Sequence, residues 1–124
     1  MANGKTILVV DDDPGARRLL QFVLAKTGCD IMVASDGTKA LASASALTID
    51  LLVTDLMMEG MDGFALTHAL RQMPDYANLP IIILSARGQV EYRDGAWNEE
   101  NVTLMTKPFS PIELIARITQ LLKL

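Results

Sequence analysis

The stretch IDLLVTDLMMEGMDG, Ile49 to Gly63, sets the reading of the whole chain. Asp50 precedes a short apolar run, Leu51-Leu52-Val53, which has the pattern of a buried strand. Thr54 follows, and Asp55 stands where that strand should end. Gly60 and the Asp62-Gly63 pair mark a turn directly afterwards. An acid at the carboxyl end of a buried strand is costly unless it opens into a crevice. In open α/β sheets that crevice is where ligands bind. On this stretch alone a solvated loop acid is the simpler account of Asp55. Its meaning depends on what the other strand ends carry.

Outward from this centre, the chain alternates apolar runs with helical spacings. Residues Met1 to Lys5 form a frayed lead-in, and Thr6 to Val10 (TILVV) a buried, β-branched strand. Asp13 is placed to cap a helix with Pro14 as its first residue, where a missing N–H costs nothing. Leu19, Leu20, Val23 and Leu24 keep helical spacing, Arg17 and Arg18 face elsewhere, and Gly28 stops the helix. Ile31 to Ala34 is a second strand, Ser35-Asp36-Gly37 a turn, and Thr38 to Ala46 an alanine-rich helix. Ile49 to Thr54 is the third strand. Phe64 to Gln72 is a helix with Phe64, Leu66 and Leu70 for the core, and 74–78 a loop. Ile81 to Leu84 is the fourth strand, ending on Ser85. Arg87 to Glu100 reads as a short or irregular helix, because Gly88 and Gly95 each weaken it by roughly 1 kcal/mol. Val102 to Thr106 is the fifth strand and reaches Lys107-Pro108. Ser110, Pro111 and Glu113 start a last helix, with Ile112, Ile115, Ile118, Leu121 and Leu122 as its buried face. Five β-α units imply a parallel sheet covered by helices on both faces.

The bulk properties narrow the function. The 124 residues suffice for one domain with a real core, 1–124 with about 5–124 ordered, and no effector domain is expected. A net charge of −4 and no run of basic residues argue against nucleic acid or anionic membrane as partners. The single Cys29 excludes an internal disulfide, and no apolar run approaches the roughly 18 residues of a membrane span. A cytoplasmic domain is expected.

Right-handed crossovers put every strand's carboxyl end on one edge of the sheet. Asp11-Asp12 follows the first strand, Asp55 the third, Ser85 the fourth and Lys107 the fifth. Each has an ordinary explanation alone, as a helix cap, a turn hydroxyl or a solvated lysine. Together on one rim they describe a chemistry. Two carboxylates about 5 Å apart repel by roughly 3 kcal/mol at an effective dielectric near 20, so three of them call for a cation. Hard oxygen ligands with open positions suit Mg²⁺. Asp55 then serves as a carboxylate nucleophile toward a phosphoryl group, with Ser85 and Lys107 contacting its oxygens.

With ILVVDDDP, DLLVTDLMMEGMDG, IIILSA and TKPF in this order and spacing, nearly the whole chain resembles the receiver domain of two-component response regulators. It resembles the single-domain kind exemplified by the chemotaxis regulator. The resemblance implies a flavodoxin-like, doubly wound five-stranded parallel sheet of order 2-1-3-4-5. It implies Asp55 as phosphoacceptor, and Asp11, Asp12, Asp55 and the Met57 backbone carbonyl as ligands of Mg²⁺ or Mn²⁺. Ser85 takes the Ser/Thr switch position and Lys107 the family's lysine, often joined to its proline by a cis bond. A histidine kinase or phosphotransfer protein would supply the phosphoryl group. The domain would catalyse only its own phosphorylation and dephosphorylation, act through an unnamed output protein, and exist as a monomer or weak dimer.

Three positions depart from the family pattern. Met58-Glu59 stands where Met-Pro is usual, Leu104 stands at the switch aromatic, and Arg87 to Glu100 lacks the common alanine-rich helix. Tyr92 and Trp97 offer a different face there or simply pack. Met57 and Arg87 flank the pocket. Two other readings remain. One is a receiver that signals by contact without phosphorylation. The other is a haloacid-dehalogenase-like phosphotransferase with Asp11 as nucleophile, which leaves Asp55 unexplained. His68 has no histidine partner and reads as a surface residue, and the methionines at 57, 58 and 61 read as packing.

Overall fold

Period-two alternation along the strands divides the core in two. The computed structural model describes residues 3–86 and 101–124. Its strands are β1 (Thr6–Val10), β2 (Asp30–Ala34), β3 (Leu51–Asp55), β4 (Ile81–Ala86) and β5 (Val102–Lys107). They form one parallel sheet in the order β2-β1-β3-β4-β5. The helices are α1 (Pro14–Leu24), α2 (Gly37–Ala46), α3 (Gly63–Arg71) and α4 (Pro111–Leu122). Ile7, Val9, Leu51, Val53, Ile82 and Leu84 pack under Leu20, Val23 and Leu24 of α1 and Leu114 and Ile118 of α4. Leu8, Val10, Leu52, Ile81 and Ile83 pack on the other face, under Ala40 and Ala44 of α2 and Phe64, Leu66 and Leu70 of α3. The expected doubly wound sheet is therefore present, with β1 and β3 as its switch point.

The helix starts follow the sequence. The Asp13 carboxylate accepts the Ala16 N–H at 2.9 Å, and Ser110 Oγ accepts the Glu113 N–H at 3.3 Å. Each such cap stabilises its helix by about 1 kcal/mol. Pro14 and Pro111 occupy first-turn positions, and Gly28 ends a short 3₁₀ extension of α1 at φ 80°.

Four expectations need correction. Ile112 is 82 % exposed, and Leu114 takes its place in the core with Ile118. At 100° per residue Ile112 lies about 160° around the helix from Leu114, so the two cannot share a face. Leu19 is likewise exposed, one residue off the buried stripe of Leu20, Val23 and Leu24. The segment read as a plain loop carries a 3₁₀ turn, Pro74–Tyr76, and Tyr76 is buried. Its hydroxyl accepts the Ile49 N–H at 3.2 Å and lies 2.7 Å from the Ala44 carbonyl and 3.1 Å from that of Leu47. The lead-in is also anchored, since the Asn3 N–H donates to Gly28 and the Lys5 carbonyl accepts from Asp30. The irregular helix expected over 87–100, with Arg87, Tyr92 and Trp97, lies outside the described residues.

Candidate functional site

β1 delivers Asp11 to the sheet edge, where it is 1 % exposed. Every side of it is tied. Its N–H continues the ladder to Ala34 at 3.2 Å, and its Oδ1 accepts the Asp13 N–H at 3.0 Å. Its carbonyl accepts from Arg17 Nη1 at 2.8 Å, and its Oδ2 meets Lys107 Nζ at 3.2 Å. Arg17, read only as lying off the apolar face of its helix, thus braces the turn that carries the acid pair. Asp12, the next residue, is exposed.

Asp55 closes β3 in register with Leu84 of β4. Its peptide is fixed from behind. Thr54 Oγ1 donates to the Asp55 carbonyl at 2.9 Å, and the Gly63 N–H donates to the Leu56 carbonyl at 2.7 Å. A Cβ on Gly63 would fall 2.8 Å from the Asp55 carbonyl oxygen and 3.1 Å from Leu56 Cα. The first residue of α3 must therefore be glycine for the helix to sit against the Asp55 peptide. Sequence reading saw in Asp62-Gly63 only a turn. In the structure Asp62 caps α3, accepting the Ala65 N–H at 2.8 Å.

Lys107, at the end of β5, reaches across to both acids: its Nζ lies 3.0 Å from Asp55 Oδ1 and 3.2 Å from Asp11 Oδ2. The Lys107-Pro108 peptide bond is cis. Oxygens of Asp11, Asp12 and Asp55 all lie within 4.8 Å of one another. Three carboxylates thus face one ammonium. Burial raises the Asp55 carboxyl above its usual value, against the pull of Lys107, and Asp11 and Asp12 add to the rise. Burial alone would lower the Lys107 ammonium, but the bond to Asp55 and the charge of Asp11 outweigh it and hold it above the ordinary lysine value. The directions agree physically: the lysine gains from its two neighbours, while Asp55 shares that lysine with Asp11.

Ser85 is buried one residue beyond Leu84, at the same sheet edge. It makes no side-chain hydrogen bond or ion pair to the acid–lysine cluster. Met57, two residues past Asp55, has an exposed side chain, unlike the buried Met58, and its carbonyl takes no hydrogen bond among the described residues. Glu59, Leu104 and His68 are exposed. No helix among the described residues is long and apolar enough to cross a membrane.

A family model, the response regulator receiver domain, matches residues 7–119. An uncharacterised 14.6 kDa protein of Leptolyngbya boryana is 40 % identical over 114 residues, covering 92 % of this chain and 87 % of that one. The DNA-binding dual master transcriptional regulator RpaA of Synechocystis sp. is 36 % identical over 117 residues, covering 94 % of this chain and 48 % of that protein. The chain spans about half the length of several curated relatives that it matches. Among solved structures, chemotaxis protein CheY4 of Vibrio cholerae superposes with a TM-score of 0.85 at 27 % identity, covering 95 % of this chain and 98 % of that one. A family match running almost end to end, on a sheet with the expected strand order, makes this chain a member of the response regulator receiver domain family of two-component systems.

Proposed function

We propose that the chain is a phosphorylation-dependent switch that accepts a phosphoryl group on Asp55 from a histidine kinase or phosphotransfer protein. The observation that carries this reading is Lys107, shared between Asp55 Oδ1 and Asp11 Oδ2 beside an otherwise uncompensated acid cluster. The donor set fits Mg²⁺ or Mn²⁺. It offers hard carboxylate oxygens close together, and it carries more negative charge than one lysine offsets. Asp11, Asp12, Asp55 and the Met57 carbonyl would hold the ion, which when bound neutralises charge on the incoming phosphoryl group.

The chain's own residues supply the rest. Lys107 holds Oδ1, so Oδ2 is the Asp55 oxygen open to attack on phosphorus. A P–O bond forms, the P–N bond to the donor histidine breaks, and its electron pair stays on the imidazole nitrogen. Lys107 then pairs with a phosphoryl oxygen and the Ser85 hydroxyl donates to another. Those contacts exist only in the phosphorylated state, so they bias a two-state equilibrium that a protein partner reads. The Asp55 side chain is 13 % exposed and that of Asp11 only 2 %. This favours Asp55 over Asp11 as the nucleophile and disfavours the dehalogenase-like alternative.

The test is intact mass after incubation with Mg²⁺ and acetyl phosphate, for the wild type and Asp55→Asn. A Mg²⁺-dependent gain of one phosphoryl group that the variant lacks is the expected result. An equal gain in the variant would move the acceptor elsewhere. No gain from acetyl phosphate or from a panel of histidine kinases would favour a receiver that works by contact alone.

A further inference from the structure

An open surface cleft of about 510 Å³ lies at the β2 edge of the sheet, bordered by α1 and α2. Arg17 comes from α1, Val33 and Ser35 from β2 and its exit, and Lys39, Ala42 and Ser43 from α2. The small side chains of Ala42 and Ser43 leave the cleft open. Two cations and two hydroxyls converge there on an apolar wall. Neither cation is ion-paired among the described residues: Lys39 Nζ rests on Ser35 Oγ at 3.2 Å, and Arg17 Nη1 on the Asp11 carbonyl at 2.8 Å. No carboxylate lines the cleft. Asp36, beside Ser35 in sequence, is engaged in capping α2, accepting the Lys39 N–H at 2.8 Å.

We infer that this cleft binds a small organic anion, a phosphate monoester with an apolar or aromatic body. The remaining N–H groups of Arg17 suit the phosphate oxygens, and Lys39 and the hydroxyls add single donors. The volume falls in the range of small-molecule sites and exceeds what inorganic phosphate fills, so Val33 and Ala42 are left for the organic part. Arg17 also links the cleft to the acid turn through the Asp11 carbonyl. A ligand that redirects the guanidinium changes the Asp11 turn, and by linkage the state of that turn changes ligand affinity.

The test is an NMR titration of the metal-free chain with adenosine monophosphate at constant ionic strength, with inorganic phosphate run in parallel. Without metal or phosphodonor, the outcome is independent of whether Asp55 accepts a phosphoryl group. Saturable shifts of the Ser35, Lys39 and Ser43 amides are expected, with a smaller response at Asp11 and a weaker one to inorganic phosphate. Arg17→Gln with Lys39→Gln weakens binding by at least about tenfold. Ala42→Phe, which fills the cleft and keeps both cations, abolishes it. Absence of saturation up to millimolar ligand, shifts spread evenly over Lys26, Arg117 and Lys123, or shifts that persist in Ala42→Phe would overturn the assignment.

Discussion

The two ends of the sheet handle polar groups in opposite ways. At the amino end they are matched locally. Asp50 Oδ2 accepts the Thr6 N–H and the Asp50 N–H donates to the Thr6 carbonyl, both at 2.8 Å. The Tyr76 hydroxyl gathers the backbone of Ala44, Leu47 and Ile49, and Asn101 Nδ2 donates to the Asn78 carbonyl at 3.2 Å. At the carboxyl end three carboxylates cluster, and one lysine pairs with two of them. Hydrogen bonds of the first kind each stabilise by about 1 kcal/mol, whereas two carboxylates at that spacing repel by roughly 3 kcal/mol at an effective dielectric near 20. One end of the fold thus pairs its polar groups with one another, and the other gathers three carboxylates around a single lysine.

Substitutions at the two ends should therefore separate stability from chemistry. The largest effect belongs to Asp55→Asn, which should abolish phosphorylation in the mass assay and yet raise the unfolding midpoint of the chelator-treated protein at neutral pH. The sign follows from burial, which raises the folded-state carboxyl above its unfolded value. Stability then falls as pH rises through that interval, so the variant's gain is present at neutral pH and vanishes in acid. A lower midpoint for the variant at neutral pH would mean that Lys107 fully compensates the acids. Next comes Gly63→Ala, which drives a methyl against the Asp55 carbonyl. It should cost about 3 kcal/mol in denaturant unfolding and slow phosphorylation, so it is the one change expected to damage both. Tyr76→Phe strips the shared hydroxyl and should cost about 2 kcal/mol, with the phosphorylation rate unchanged. Asp50→Ala should cost about 1 kcal/mol, again without a kinetic effect. A slowed phosphorylation rate in either amino-end variant would break the division.

The carboxyl end of this comparison was legible in the sequence because it follows from local pattern. The apolar runs place the strands, and the residue after each run lands on the rim. Asp11, Asp12, Asp55 and Lys107 were therefore assembled by topology alone. Asp13 and Ser110 were legible as caps because each immediately precedes a proline that can only begin a helix. What escaped depends on packing across the chain. Tyr76 sits among turn residues, and only the backbone it gathers reveals it as core. Ile112 and Leu114 are both apolar, and the helix's rotation against the sheet decides which is buried. Gly63 looked like any turn glycine, because its constraint comes from the peptide of Asp55, not from its own backbone. Ser85 was legible at this edge because it directly follows the fourth apolar run, and the register of β4 puts it one residue beyond Leu84.

The ion pair between Asp11 and Lys107 joins residues 96 positions apart, one directly after β1 and the other at the end of β5. During synthesis the span from β1 through β4, with its helices, emerges first and already contains most of the buried apolar residues. β5 follows, ahead of α4, and within the sheet it pairs with β4. Until it does, the acids have gathered without their ammonium. A chain ending before Lys107 would lack that ammonium and, with it, Leu114 and Ile118 of the core.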